Sequence, residues 1–276
     1  MTWLTWGRKK GLGTMISAGI DCGAKNTKTV ILRDGQIIGK GMLLTRFDQK
    51  KAIRASWEAA LKEADILEGD VARTCITGSG KVSINNKDGI ISDTKAMAKG
   101  ANFFFPNART VADVGAEEGR AVKIDDRGNV VDFAINEKCA AGAGAFLEVM
   151  ARALEVSLEE MGRMYLQSKK EIAMNAQCVV FAESEVVGLI HAKTQKPDIS
   201  KAIHDAMAGH IISLIRRVGV NEDVVLVGGV SKNSGFVESM KRHLTLDKIY
   251  IPDEPEYGAA LGAAVVAAEE ARKDFL

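Results

Sequence analysis

Two of the four cysteines directly precede long amphipathic stretches, a position that favours metal chemistry. Cys139 lies in NEKCAAGAGAFLEVMARAL and Cys178 lies in NAQCVVFAESEVVGLI. A thiolate at the start of a helix is stabilised by the free N–H groups and by the positive end of the helix dipole, which suits it to bind a soft metal centre. We therefore expect the two helices to hold one metal cluster, and the alternative is that both thiols are buried and structural.

A glycine-rich turn near the start of the chain has the residue types of a phosphate-binding loop. In GIDCGAKNTKTVIL, Asp21 ends a strand and a tight turn follows it. Successive backbone N–H groups in such a turn can cradle phosphate oxygens. The expected nucleotide-binding residues of this turn, including two lysines that add positive charge, are Gly23, Lys25, Asn26, Thr27 and Lys28.

A second turn repeats this device in VADVGAEEG, which contains Asp113 and Gly115. Carboxylate oxygens are hard ligands, so Asp21 and Asp113 together are predicted to hold a hydrated Mg²⁺. Either turn taken alone is also typical of an ordinary hairpin.

Two further segments complete the set of glycine-rich motifs. In VVLVGGVSKNSGF a strand ends at two glycines and a helix is expected to begin near Ser231, so that a flat base and its ribose can approach closely. The candidate nucleotide-binding residues here are Gly228, Gly229, Lys232 and Asn233. The small residues of EYGAALGAA predict a helix face that another helix approaches closely.

The elements that must position these motifs are two similar meanders. Residues 16–45 are predicted to form three strands, residues 48–68 a helix, and VARTCITGSG a buried strand that returns parallel to the first. TVADVGAEEGRAVKIDDRGNVVDFAIN predicts a second meander, which is a duplication of layout rather than of residues. Beyond residue 136 the chain is expected to be helical, apart from strands at VVLVGG and near KIYI.

Composition excludes several classes of protein. Among 276 residues, 37 lysines and arginines nearly balance 36 aspartates and glutamates, so neither nucleic acid nor a membrane surface is an expected partner. The four cysteines show no spacing typical of a secreted disulfide scaffold, which favours a cytoplasmic protein. Residues 1–14 are treated as a flexible extension, with Met15 as an alternative start.

The ordered motifs resemble those of a known superfamily. They are similar to the phosphate-1, phosphate-2, adenosine and connect-2 motifs of the actin, sugar kinase and Hsp70 superfamily, with CVVFAESEVVGLI as connect-1. Within it, NEKCAAGAGAFLEVMA and CVVFAESEVVGLI resemble the BadF/BadG/BcrA/BcrD-type ATPase family. That family comprises the ATP-dependent electron activators of 2-hydroxyacyl-CoA dehydratases and benzoyl-CoA reductases. The similarity covers about residues 15 to 272.

The resemblance implies an α/β, two-lobed, ribonuclease H-like fold with duplicated mixed sheets flanked by helices. Residues 15–135 would form the first lobe, and 136–256 the second, which carries the cysteine helices and the adenosine motif. Helix 257–272 would pack back on the first lobe. ATP in the cleft would shift the lobes and move the cysteine helices.

The resemblance also implies a dimer in which each chain gives two cysteines, here Cys139 and Cys178, to one 4Fe-4S cluster. A cubane cluster takes four thiolates, which agrees with two from each chain. Reduced ferredoxin or flavodoxin would supply the electron, and an iron–sulfur partner would use it to reduce a CoA thioester. Either Glu183 or Glu185 would sense or position the nucleotide, and the alternative is a solvated charge in a first helical turn.

Two departures from the family pattern concern the phosphate turns. Ala24 replaces a hydroxyl residue, so one phosphate contact is either missing or made by Asn26 or Thr27. DVGAEEG replaces DIGGQD and is similar to the D-type subunit of benzoyl-CoA reductase. Glu117 in this turn would either polarise water as a base or repel the γ-phosphate.

Our first prediction is therefore an ATP-binding, cluster-sharing D-type subunit of benzoyl-CoA reductase, paired with a related A-type subunit. The alternative is a homodimeric activator of a 2-hydroxyacyl-CoA dehydratase. From another class, an N-acetylhexosamine-type sugar kinase shares the nucleotide motifs, and its cysteines would be incidental. A nucleotide-binding regulatory module without turnover is a further possibility.

Overall fold

The computed structural model describes residues 14–81, 88–136, 143–174 and 178–274. The predicted extension at residues 1–14 lies almost wholly outside this range, as does Cys139. The chain forms two compact units, of which the first runs to Phe104 and resumes at Tyr257, and the second spans Phe105–Glu256. Across the described residues, every helix is too short or too polar to cross a bilayer.

The first unit contains a four-stranded mixed sheet in the order β3-β2-β1-β4. A meander of three antiparallel strands comes first, and β4 then returns parallel to β1. Every residue of β1 is buried because helices cover both faces of the sheet. The strands are β1 (Ile16–Cys22), β2 (Asn26–Arg33), β3 (Gln36–Leu44) and β4 (Arg73–Thr77).

Three helices flank this sheet: α1 (Gln49–Ala64), α2 (Asp93–Phe104) and α8 (Gly258–Lys273). Asp48 caps α1 by accepting a hydrogen bond from the Lys51 amide, and the helix ends at Ala64, where Asp65 follows in the left-handed conformation. Helix α1 is therefore shorter than the predicted 48–68. Helix α8 packs on β1 so closely that a Cβ at Gly19 would lie 2.1 Å from the Ala260 carbonyl oxygen.

The second unit repeats the same sheet in the order β7-β6-β5-β8. Its strands are β5 (Thr110–Val114), β6 (Gly119–Ile124), β7 (Val130–Asn136) and β8 (Val224–Val227). The helices that contribute to its core are α3 (Gly144–Ala153), α4 (Leu158–Tyr165), α5 (Val179–His191), α6 (Lys196–Val218) and α7 (Ser234–Leu244). Near KIYI the described backbone forms one isolated bridge, between Val225 and Tyr250.

The two matching sheets confirm the predicted duplicated α/β fold. The boundary between the units differs from the prediction, because we expected residues 15–135 to form the first lobe and the structure assigns residues 105–256 to the second unit. The reason is strand pairing: β5 pairs with β8, so the whole second meander joins the helices that follow it. A meander read in isolation does not reveal which later strand will complete its sheet.

Candidate functional site

The first glycine turn begins at Asp21, whose carboxylate is already paired with a cation. The Nζ atom of Lys28 lies 2.9 Å from Oδ2 of Asp21, and the two side chains are only 13% and 11% exposed. They face each other because Asp21 and Lys28 are direct partners in the antiparallel β1–β2 ladder. Lys28, which we expected to bind phosphate, therefore neutralises Asp21 in this structure.

The backbone of this turn is tied to the residue that follows β3. The Thr45 hydroxyl donates to the Gly23 carbonyl oxygen at 2.7 Å, and the Thr45 amide donates to the Lys25 carbonyl oxygen at 2.9 Å. Thr27 is fully buried, with its hydroxyl 3.0 Å from that of Thr45. Its side chain thus braces the turn from inside, whereas Lys25 is exposed and Asn26 is half-buried.

The loop after β4 lies against the same turn, which the sequence analysis did not anticipate. Gly78 has φ +92°, and a Cβ there would lie 2.6 Å from Oδ1 of Asp21. Asp93, the first residue of α2, accepts hydrogen bonds from the Thr77 hydroxyl at 2.8 Å and the Gly78 amide at 2.6 Å. Lys81 lies 3.0 Å from its other oxygen. The predicted parallel pairing of β1 and β4 was the available signal, because it brings both strand ends to one edge.

The second turn has the same arrangement of charge. Asp113 and Arg120 are partners in the β5–β6 ladder, 3.2 Å apart, with side chains 14% and 12% exposed. Arg120 also forms an ion pair with Glu118. The Gly115 amide donates to the Glu118 carbonyl oxygen at 2.9 Å and closes the turn. Glu117, our candidate base, is exposed.

A positive-φ glycine again lies against the carboxylate. Gly228 follows β8, has φ +86°, and would place a Cβ 2.4 Å from Oδ1 of Asp113. Gly78 and Gly228 thus occupy equivalent places in the two units, each directly after the strand that is parallel to the first. Each unit therefore carries an aspartate, a cation seven residues later, and a glycine that allows the chain to pass beside the carboxylate.

Helix α3 begins directly on the second turn. The Gly144 amide donates to the Gly115 carbonyl oxygen at 2.8 Å, and the Ala145 amide donates to the Ala116 carbonyl oxygen at 2.8 Å. Two amides that would otherwise be unsatisfied at a helix start are thereby bonded to the loop. The element that follows the Cys139 segment is thus fixed to a predicted phosphate-binding turn.

The adenosine motif forms a short 3₁₀ helix over Gly229–Lys232, and α7 begins only at Ser234. The predicted helix start near Ser231 is therefore three residues early. Ser231 is buried and its hydroxyl donates to the Val227 carbonyl oxygen at 2.8 Å, which holds the tight turn. A Cβ at Gly229 would have no atom within 4 Å, so this backbone borders open space.

The two polar candidates of this motif have structural partners. Asn233 caps α7 by accepting from the Phe236 amide at 3.0 Å, and its amide group donates to the Leu158 carbonyl oxygen at 3.2 Å. Lys232 forms an ion pair with Glu256. A cap is the ordinary role of asparagine at this position.

Cys178 is the residue directly before α5. It is extended, with φ −137° and ψ 137°, partly exposed, and within the described chain its side chain makes no capping hydrogen bond. Helix α5 packs against α3, so the helices that follow the two predicted ligands are neighbours. Val180 and Phe181 are 65% and 71% exposed. Glu183, a predicted nucleotide contact, is also exposed on α5.

The other two described cysteines are poor metal ligands. Cys22 and Cys75 are fully buried. Burial, together with the nearby Glu270 carboxylate, raises the pKa of Cys75 to about 11. Burial likewise raises the pKa of Cys22. Both stay protonated at neutral pH, and thiolate is the form that binds metal. In the part of the chain that the structure describes, no three His, Cys, Asp or Glu residues form a metal site.

Comparison with known proteins identifies the family. The sequence profile of the BadF/BadG/BcrA/BcrD ATPase family matches residues 18–267. The chain belongs to this ATPase family. This confirms the predicted resemblance and supports ATP as the nucleotide of this BadF/BadG/BcrA/BcrD ATPase.

Two solved structures are similar to this family member over almost its whole length. One is component A of the (R)-2-hydroxyglutaryl-CoA dehydratase of Acidaminococcus fermentans, with 35% identity, a TM-score of 0.89, and coverage of 94% of this chain and 99% of that one. The other is the activator of the 2-hydroxyisocaproyl-CoA dehydratase from Clostridium difficile with bound ADPNP. It has 35% identity, a TM-score of 0.87, and coverage of 95% and 97%.

The D-type subunit of the benzoyl-CoA reductase of Thauera aromatica is a more distant relative. It is 32% identical over 91% of this chain and 92% of its own length. The comparisons therefore favour the activator alternative over our first prediction of a benzoyl-CoA reductase subunit.

Proposed function

We propose that this chain is the ATP-dependent activator of a 2-hydroxyacyl-CoA dehydratase, which couples ATP hydrolysis to delivery of a low-potential electron. The observation that carries the proposal is the pair of equivalent carboxylate turns, in a chain that resembles two dehydratase activators over almost its full length. The dehydratase itself would be a separate iron–sulfur protein that processes a CoA thioester.

The residues of the two turns fit ATP and Mg²⁺. Asp21 and Asp113 are shielded carboxylates at strand ends, and hard oxygen donors are what Mg²⁺ prefers. The backbone of the first turn from Gly23 to Thr27 would bind phosphate. Lys25 is exposed to solvent, so its side chain is accessible to the nucleotide. The open backbone at Gly229 would accept the base and ribose.

Cys178 fits an iron–sulfur ligand. Cys178 is partly exposed directly before α5. The apolar side chains of Val180 and Phe181, which follow it on the helix, are exposed to solvent in the isolated chain. Exposed apolar residues around a ligand position mark a surface that a partner covers. We propose that Cys178 and Cys139 bind half of a 4Fe-4S cluster, whose other two thiolates come from a second subunit. When bound, the cluster would store the electron.

One feature favours the benzoyl-CoA reductase subunit as the second candidate function. The DVGAEEG turn places Glu118 in an ion pair with Arg120, so one of the two variant glutamates is part of the turn's structure, whereas Glu117 is exposed. In that case the second subunit would be an A-type relative rather than a second copy of this chain. The two candidates thus differ in the partner that completes the cluster.

The test is iron and acid-labile sulfide per chain after anaerobic purification. Cluster in the chain expressed alone, and MgATP-dependent electron transfer from reduced ferredoxin or flavodoxin to a dehydratase, are expected for the activator. Cluster only after coexpression with an A-type relative would indicate the reductase subunit.

Variants of two cysteines provide the control for this experiment. Cys178→Ala should abolish iron binding, while Cys75→Ala, which changes a buried thiol, should retain it. Absence of iron in every sample, together with ATP-dependent phosphorylation of an N-acetylhexosamine, would replace the proposal with the kinase.

A further inference from the structure

The two aspartates of the nucleotide turns share a feature beyond their position. In the first unit, Lys28 lies 2.9 Å from Asp21, and in the second, Arg120 lies 3.2 Å from Asp113. All four side chains are between 11% and 14% exposed. Both cations stand seven residues after their aspartate and face it across the first antiparallel ladder. The same arrangement thus occurs once in each unit.

Shielding makes these ion pairs different from ordinary surface pairs. An exposed pair such as Arg54 with Glu58 is screened by water and contributes little. At the strand ends the effective dielectric constant is lower, so each cation cancels most of the field of its aspartate. A free divalent cation that approaches either carboxylate therefore meets a site that already holds a positive charge.

The incoming nucleotide changes this balance. ATP brings several negative charges together with its Mg²⁺. The Lys28 ammonium or the Arg120 guanidinium group can then pair with phosphate oxygens, while the metal binds the aspartate carboxylate that the cation has left. Both exchanges conserve local charge pairing. Free Mg²⁺ offers no such compensation, because it brings no anion of its own to replace the carboxylate that the cation would give up.

We propose that Lys28 and Arg120 are positioning residues that act as internal counter-cations, making metal binding at Asp21 and Asp113 conditional on nucleotide. This inference rests on the proposed function, because it assumes that these turns bind Mg²⁺ and ATP. It assigns to each cation a role in selecting the metal–nucleotide complex over the free metal.

The test measures metal binding rather than turnover. Mn²⁺ replaces Mg²⁺ as the probe. The electron paramagnetic resonance signal of free Mn²⁺ gives the amount of ion that the nucleotide-free protein leaves unbound. Wild type is expected to bind Mn²⁺ weakly alone and at least about tenfold more tightly with ADP present. Lys28→Gln and Arg120→Gln should each raise the nucleotide-free Mn²⁺ affinity by about tenfold, since each uncovers a shielded carboxylate. Lys28→Arg should restore the wild-type value.

Two matched variants each remove a cation from an ion pair that lies outside the two turns. Lys201 is 14% exposed and lies 3.0 Å from Glu171, and Arg54 pairs with two carboxylates, as Arg120 does. Lys201→Gln and Arg54→Gln should leave Mn²⁺ affinity unchanged.

The outcomes separate the inference from the proposed function. Wild-type protein that binds ADP with Mn²⁺, yet binds Mn²⁺ equally well without ADP, would overturn the counter-cation role and leave the function intact. Wild-type protein that binds no adenine nucleotide would refute the proposed function itself. The wild-type comparison needs no variant, so a poorly folded Lys28 or Arg120 variant does not prevent a decision.

Discussion

Gly78 combines a positive φ with close approach to the Asp21 carboxylate. Its φ of +92° suits glycine, and a Cβ would lie 2.5 Å from the Cys22 carbonyl oxygen and 2.6 Å from the Asp21 carboxylate. Gly78→Ala is therefore expected to lower the free energy of unfolding by roughly 1–3 kcal/mol and to weaken ATP binding. Urea unfolding and calorimetric titration measure the two effects.

Gly209→Ala is the matched control for this substitution. Gly209 lies inside α6 and a Cβ there would meet no atom within 4 Å. Alanine should thus stabilise the helix by up to about 1 kcal/mol. Equal stability of Gly78→Ala and wild type would contradict the close approach of Gly78 to Asp21.

The thiols are expected to differ in reactivity as their environments differ. Cys75 has a pKa of about 11, because its thiolate would be desolvated and would face Glu270. A raised thiol pKa means that Cys75 remains protonated at pH 8 and is still largely protonated at pH 10. Iodoacetamide should therefore modify the partly exposed Cys178 in cluster-free native protein and spare Cys75 at both pH values.

Mass spectrometry of peptides measures this alkylation site by site. In urea all thiols should react, which shows that protection depends on the fold. Modification of Cys75 as fast as Cys178 in the native protein would show that the β4 strand opens readily.

At the level of elements, the sequence predicted most of the secondary structure and the positions of the tight turns after β1 and β5. The three strands predicted over residues 16–45 are β1 to β3, and the predicted second meander is β5 to β7. The start of α7 was misplaced because Ser231 bonds back to the backbone of β8, whereas Asn233 is the true cap. Propensity alone does not distinguish these two polar residues.

Other parts of the site depend on pairing between distant segments. Asp93 and Gly78 reach the first turn only because β4 lies parallel to β1, and Lys28 pairs with Asp21 only through the β1–β2 register. Side-chain partners therefore could not be deduced from the motifs themselves. Cys178 was placed correctly before its helix because the amphipathic run that follows it is a local signal.

The contact of α3 with the second turn predicts a route for coupling. A Cβ at Gly144 would lie 3.0 Å from a Val230 methyl carbon and 3.1 Å from the Gly115 carbonyl oxygen. Gly144→Val should separate the helix start from the turn. We expect ATP to bind within about tenfold of its wild-type affinity, while any ATP-induced change in the paramagnetic resonance spectrum of the proposed cluster is lost.

Gly188→Ala tests whether this loss is specific. Gly188 lies on α5, the other cysteine helix, and its Cβ position is open. This variant should respond to ATP as wild type does. An unchanged spectral response in Gly144→Val would show that the turn and the cluster are coupled through a different element.

At the scale of the whole molecule, the exposed face of α5 predicts association. Phe181 is 71% exposed and lies three residues after Cys178. A charged side chain at this position would leave the core intact, but it would become buried when a partner binds and would therefore oppose association. If the proposed dimer and its cluster form through this face, Phe181→Glu should convert dimers to monomers and lower the iron content, as measured by light scattering and iron analysis under anaerobic conditions.

Leu67→Glu is the comparison, because Leu67 is 76% exposed in the first unit. It should retain both the dimer and the iron. If Phe181→Glu kept its dimer and its iron, the partner surface would have to lie away from α5.

The first unit is discontinuous, since α8 returns to it after the whole of the second unit. During translation the β1 face that receives α8 is therefore made early but stays without its cover until residues 258–273 leave the ribosome. The second unit, in contrast, is contiguous and has all its strands and helices available before then. The unit that begins first is therefore completed last, and until α8 is synthesised the β1 face at Gly19 is open to association with other chains or with chaperones.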